Sequence, residues 1–164
     1  MKRILNLALA LLLTMSLAAC GGKETPEQTT APAAKDMNMT SVYETLASAA
    51  QLPEMLQLKA DMMLDYCGID VEKTNQAVAA ICADSLRTDE IWLLEAKDEA
   101  AAKELVDAAN ERLRKKGEES ITYSPEQYAV VEKAKVLQVG NYVAMIVSPD
   151  VDALVAAFNR EAGI

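Results

Sequence analysis

The sequence predicts an α+β fold: an antiparallel four-stranded sheet made from two β-β-α units, with helices packed on one face and further helices on the N-terminal side. Three observations predict it. Apolar segments of strand length come in two pairs, residues 77–84 with 90–96 and residues 135–139 with 142–148. Each pair is followed by a helix-start signal and apolar residues at helical spacing. About 124 residues remain once the N-terminal leader and a polar stretch are set aside, near the usual size of one domain with one core.

Taken in order, Ser41-Val-Tyr-Glu44 has the form of a capping box, which predicts a short helix from Val42 to about Ala50. Pro53 restarts the chain, and Met55, Leu56, Met62, Met63 and Leu64 predict a second helix that ends at Gly68 in a left-handed cap. Methionine there reads as core filler. "AVAAICAD" and "EIWLLEA" predict the first hairpin. From Asp98 the period changes, with Ala102, Leu105, Val106, Ala109 and Leu113 on one stripe, and Arg112, Arg114, Lys115 and Lys116 before Gly117. Acids at the start and bases at the end suit a helix dipole. Ser124-Pro125-Glu126-Gln127 repeats the helix-start logic, so a short helix covers about 125–133. "KVLQV" and "YVAMIVS" flank Gly140-Asn141, a two-residue turn that needs a positive φ at its first position. Ser148-Pro149-Asp150 then caps a last helix whose Val151, Leu154, Val155 and Phe158 share one side. Laying Asp98 on Asp150, an offset of 52, aligns the two halves as a faint echo that chance explains as well as duplication does.

The N-terminus carries an address. Lys2 and Arg3 precede an apolar run over Ile4 to Ala19, and small residues lead into Cys20. That run reaches roughly 24 Å as a helix, short of a bilayer core of roughly 30 Å. Leu17-Ala18-Ala19-Cys20 resembles the lipobox of bacterial lipoproteins, in which the cysteine thiol is alkylated by a diacylglycerol and the bond before it is cut. Residues 1–19 are therefore expected to be a signal peptide, residues 20–40 a lipidated cysteine followed by a disordered linker, and residues 41–164 one α+β domain. Two acyl chains on Cys20 would hold the protein on the cell membrane, facing the extracytoplasmic side.

Composition removes several chemistries. The chain has formal charge −9, and loss of Lys2 and Arg3 with the leader would make it −11, which argues against nucleic acid or anionic headgroups as partners. With no histidine, a histidine-based triad or a zinc site containing histidine is excluded. Cys67 and Cys82 have no metal-ligand spacing; they read as buried free thiols or, in an oxidising compartment, as a disulfide. No cofactor motif and no calcium-loop spacing is present.

"DYCGID" (65–70), "TDEIWLLEAKDEA" (88–100), "YSPEQYAVVEKAKV" (123–136) and "GNYVAMIVS" (140–148) resemble the landmarks of an uncharacterised bacterial lipoprotein family, domain of unknown function 4358. The resemblance spans roughly residues 50–160. It implies a lipobox, a polar linker and one small α/β domain, and no assigned activity. It singles out Gly68, Glu90, Pro125, Gln127, Tyr128, Gly140, Asn141 and Tyr142 as motif positions of unassigned role. Each also has a structural reading as cap, turn or core edge.

The function expected from this sequence is a membrane-anchored, non-enzymatic binding or interaction module with a protein or small-molecule partner. The alternative is a small hydrolase acting on cell-envelope material through paired carboxylates, with Glu90, Glu95, Asp98 and Glu99 as candidates. Two carboxylates converging in a cleft would favour the hydrolase; acids scattered over the surface would remove it.

Overall fold

The computed structural model describes residues 35–164. Within them, strands β1 (Met55–Gln57), β2 (Thr74–Cys82), β3 (Glu90–Ala96), β4 (Lys135–Val139) and β5 (Tyr142–Val147) form one sheet in the order β1-β2-β3-β5-β4, every neighbour antiparallel. The helices are α1 (Met39–Ala49), α2 (Ala60–Cys67), α3 (Glu99–Tyr123), α4 (Pro125–Lys133) and α5 (Val151–Ala162). The two predicted hairpins, β2-β3 and β4-β5, are both present.

The four-stranded expectation is corrected to five. Met55 and Leu56, expected in a helix, lie in β1, where Leu56 stands opposite Ile81 and the Leu58 amide donates to the Ala79 carbonyl at 2.8 Å. Three residues at a sheet edge are too few to show a period of 2, so only the tertiary pairing reveals them. The second helix is correspondingly shorter, and it ends as expected, with Gly68 at φ 82° in the left-handed region.

The helices cover both faces of the sheet, not one. Trp92, Leu94 and Ala96 of β3 pack with Val143, Met145 and Val147 of β5 against Met63 and Cys67 of α2, Leu105 and Ala109 of α3, and Val131 of α4. Their neighbours Ile91, Leu93, Ala144 and Ile146 point the other way, onto Val42 and Leu46 of α1 and Leu154 and Phe158 of α5. The physical reason lies in the sequence itself: "IWLL" and "VAMIV" are unbroken apolar runs, and a strand with no polar face must be buried on both sides. The same geometry undoes the expected pair of equivalent β-β-α units. At an offset of 52, Trp92 falls on Ala144, a residue facing the opposite layer, and α3 and α5 lie on opposite faces.

Three boundaries also move. Asn38, not Ser41, caps α1, its side chain accepting from the Ser41 amide at 3.0 Å. The segment expected to end the linker is docked: Met37 and Met39 are buried, and Gln76 accepts from the Met39 amide at 3.0 Å while donating to the Met37 carbonyl at 3.0 Å. Finally, α3 runs through Gly117 for 25 residues, because its last turns pack on α4 and gain there more than one glycine costs. Cys67 and Cys82 are free thiols.

Candidate functional site

Glu90 opens β3, and the strand alternation that sends Trp92 and Leu94 toward α3 sends its carboxylate there too. Arg112 and Lys116, four residues apart on one face of α3, meet it. Arg112 donates from Nε to Oε1 at 3.0 Å and from Nη2 to Oε2 at 2.8 Å, Lys116 Nζ lies 2.8 Å from Oε2, and Trp92 Nε1 donates to Oε1 at 2.8 Å. The Glu90 side chain is 0% exposed, against 22% for Arg112 and 11% for Lys116. Burial by itself would raise the Glu90 pKa; the Arg112 hydrogen bonds and the two cationic charges outweigh it and hold the carboxyl below the usual carboxylate range.

Cys67 at the end of α2 borders this cluster, its thiol pushed up to about 12 by burial first and by the Glu90 charge second. Asp89, the residue just before β3, is also buried and takes a two-point contact from Arg87, Nε at 2.9 Å and Nη2 at 3.2 Å. Every buried polar side-chain atom among the described residues has a hydrogen-bond partner.

At this end of the sheet lies a cleft of about 740 Å³ between the β2–β3 loop, α3 and α4, bordered by Leu86, Thr88, Lys116, Glu119, Tyr123 and Gln127. Gln127 reaches it because Pro125 starts α4 and Ser124 caps it. Its Oε1 accepts from the Thr88 amide at 2.9 Å and the Thr88 hydroxyl at 3.0 Å, pinning the loop to the helix. Leu86 and Tyr123 stand at the rim, 81% and 86% exposed.

The remaining motif positions lie elsewhere. Gly68 caps α2. Tyr128 sits on another side of α4, against Gly117, its phenol raised by Glu132. Gly140 has φ 56°, the Asn141 carbonyl accepts from the Ala96 amide at 2.8 Å, and the buried Tyr142 hydroxyl accepts from the Met37 amide at 3.2 Å. This hairpin end faces away from the cleft, since β3 separates Glu90 from Glu95, the partner of Tyr142, by about 17 Å. Across distant parts of the chain, Glu90 and Gln127 both approach Lys116, Glu90 through its ion pair and Gln127 through the shared cleft. Cys20 lies outside the described residues.

The four candidate carboxylates do not form a catalytic pair. Glu90 is locked among cations, and Glu95 projects to the opposite face, where Gln76 donates to it. Asp98 caps α3 through the Ala101 amide at 2.8 Å, and Glu99 beside it is exposed; the two border one open depression without burial to separate their chemistry. Among the described residues, no group of three or more His, Cys, Asp and Glu side chains is placed to hold a metal ion. Sequence reasoning missed Arg112, Lys116, Thr88 and Asp89. The spacing of Arg112 and Lys116 on one helix face is a signal, but it also suits a helix C-terminus, and nothing local says that a carboxylate 22 residues upstream completes it.

A three-layer α/β/α domain with a buried carboxylate held by two cations and a mixed polar and apolar cleft beside it is the class that fold and site define. Over residues 48–148 the chain matches the family described as Domain of unknown function (DUF4358), and it belongs to that family. That segment contains Glu90, Arg112, Lys116 and every residue bordering the cleft. Comparison with curated proteins and with solved structures gives no match.

Proposed function

We propose that this chain is a lipid-anchored extracytoplasmic module that binds a partner and does no covalent chemistry. The observation that carries the second half is the fate of the carboxylates: Glu90, fully buried, is held ionised by two cations, so it is unsuited to giving or taking a proton near neutral pH, and the buried Asp89 is clamped by Arg87. The first half rests on the sequence around Cys20. The stretch from Cys20 to the docked Lys35 spans at most about 50 Å when fully extended, which would keep the domain near the bilayer. Lys35 itself is joined to the end of α5, its amide donating to the Ala162 carbonyl at 3.3 Å.

Intact-mass spectrometry of the protein purified from its native membranes tests the reading. The expected species begins at Cys20 and carries a diacylglyceryl group. An unmodified Cys20 in a chain that keeps residues 1–19 would refute the anchor.

A further inference from the structure

We infer that the cleft beside Glu90 takes a neutral oligosaccharide segment, with Tyr123 as its stacking platform and Gln127 as its amide donor; this deepens the binding reading above. Three features select the ligand class. The charges around the cleft balance: Arg112 and Lys116 share the one Glu90 carboxylate, Glu119 in the wall offsets the positive charge left over, and Arg87 is paired with Asp89, so the site as a whole favours neither an anion nor a cation. The backbone offers no strand edge here, because β2 and β3 are each paired on both sides up to the loop, with the Cys82 amide donating to the Asp89 carbonyl at 3.0 Å and the Ala83 amide to the Glu54 carbonyl at 2.8 Å. An extended peptide, which adds to a sheet edge, is disfavoured for that reason. What the cleft does offer is an unpacked phenol ring, 86% exposed, in a lining that also includes the Thr88 hydroxyl and the Gln127 amide.

An amphipathic ring presents an apolar face with a polar edge, the counterpart of a pyranose whose C–H face is apolar and whose rim is hydroxyl. Gln127 uses its Oε1 on Thr88, and among the described residues its Nε2 makes no hydrogen bond, leaving two N–H donors at the cleft. A volume of about 740 Å³ lies within the roughly 300–1,000 Å³ usual for ligand sites. The placement agrees with this use. Lys35, Met37 and Tyr142 hold the tether at one end of the sheet, and the cleft opens at the other, away from the anchored end.

The test is isothermal titration of the purified full chain, in a sugar-free detergent, with chitotetraose, cellotetraose and maltotetraose as probes. Saturable binding of at least one is expected, weakened about tenfold or more by Tyr123→Ala and by Gln127→Glu, which keeps the acceptor for Thr88 and removes the donor. Tyr66→Ala, at an exposed tyrosine outside the cleft, should leave the affinity unchanged. Saturation by none of the three, saturation indifferent to Tyr123→Ala, or saturation by a mixed decapeptide pool in their place would each overturn the inference. An unlipidated Cys20 with saccharide binding intact would refute the anchor alone.

Discussion

Replacing Arg112 by Met should unfold this protein more than any exposed charge substitution. Two opposite charges about 4 Å apart attract by about 4 kcal/mol at an effective dielectric of about 20, and removing one partner of a buried pair costs about 3–5 kcal/mol, mostly because the other is stranded. Glu90 is fully buried and would keep Lys116 and Trp92 as partners, so the lower end applies, about 3 kcal/mol. For a domain of this size that is a fall in Tm of roughly 10 °C. The assay is urea unfolding followed by fluorescence of Trp92, the single tryptophan, which is fully buried and donates to Glu90 itself. Lys103→Met is the control: its pair with Asp107 is exposed on both sides and screened by solvent, and its loss should leave the unfolding midpoint almost unchanged. The pH dependence has a definite sign. Because the folded Glu90 pKa lies below its ordinary value, its contribution is present above about pH 4.3 and is lost as pH falls through the folded pKa. Arg112→Met raises the folded pKa toward the unfolded one, so the variant should lose less stability than wild type as pH falls below about 4.3, and the cost of the substitution should shrink in acid. A cost for Arg112→Met no larger than for Lys103→Met would refute the reasoning.

Cys67, with its thiol raised to about 12, should resist alkylation at pH 8 until the protein unfolds, while the less buried Cys82 reacts first; peptide mapping after iodoacetamide treatment reads both. As pH rises above about 9, the unfolded chain ionises the Cys67 thiol and the folded one does not, so stability should decline there. Gln127→Ala removes two hydrogen bonds to Thr88 and should cost about 1–3 kcal/mol, with faster amide exchange across the β2–β3 loop. Gly117→Ala should raise stability by about 1 kcal/mol, since the added methyl would meet Tyr128 and Val131 only at 3.8 and 4.0 Å, ordinary contact distances.

Legibility in the sequence followed the range of the forces. Where a neighbour within four residues decides the structure, the sequence sufficed: the Gly68 cap, Pro125 at the first turn of α4, Gly140 in its hairpin. Where the decision is made across the fold, it did not. β1 is a strand only because β2 pairs with it, and Asn38 and Ser41 compete as caps until Met37 and Met39 find their burial sites. The two-faced burial of β3 and β5 was written in their apolar runs, yet a four-stranded sheet with helices on one face leaves half of those side chains without a place. Glu90 stood out as a motif position, but its role depends on Arg112 and Lys116, brought to it by the packing of α3 on β3. Tyr123, at the end of a helix expected to stop at Gly117, acquired its place at the cleft rim only when α3 ran on.

The most direct measurement of the central claim, that the interior carboxylate serves the fold and not proton transfer, is a carbon-13 NMR titration of the Glu90 side-chain carboxyl in the folded protein. This carbon should remain in its ionised position as pH is lowered through the ordinary glutamate value of about 4.3, changing only with acid unfolding. A titration midpoint above that value, in the range where a general acid works, would contradict it.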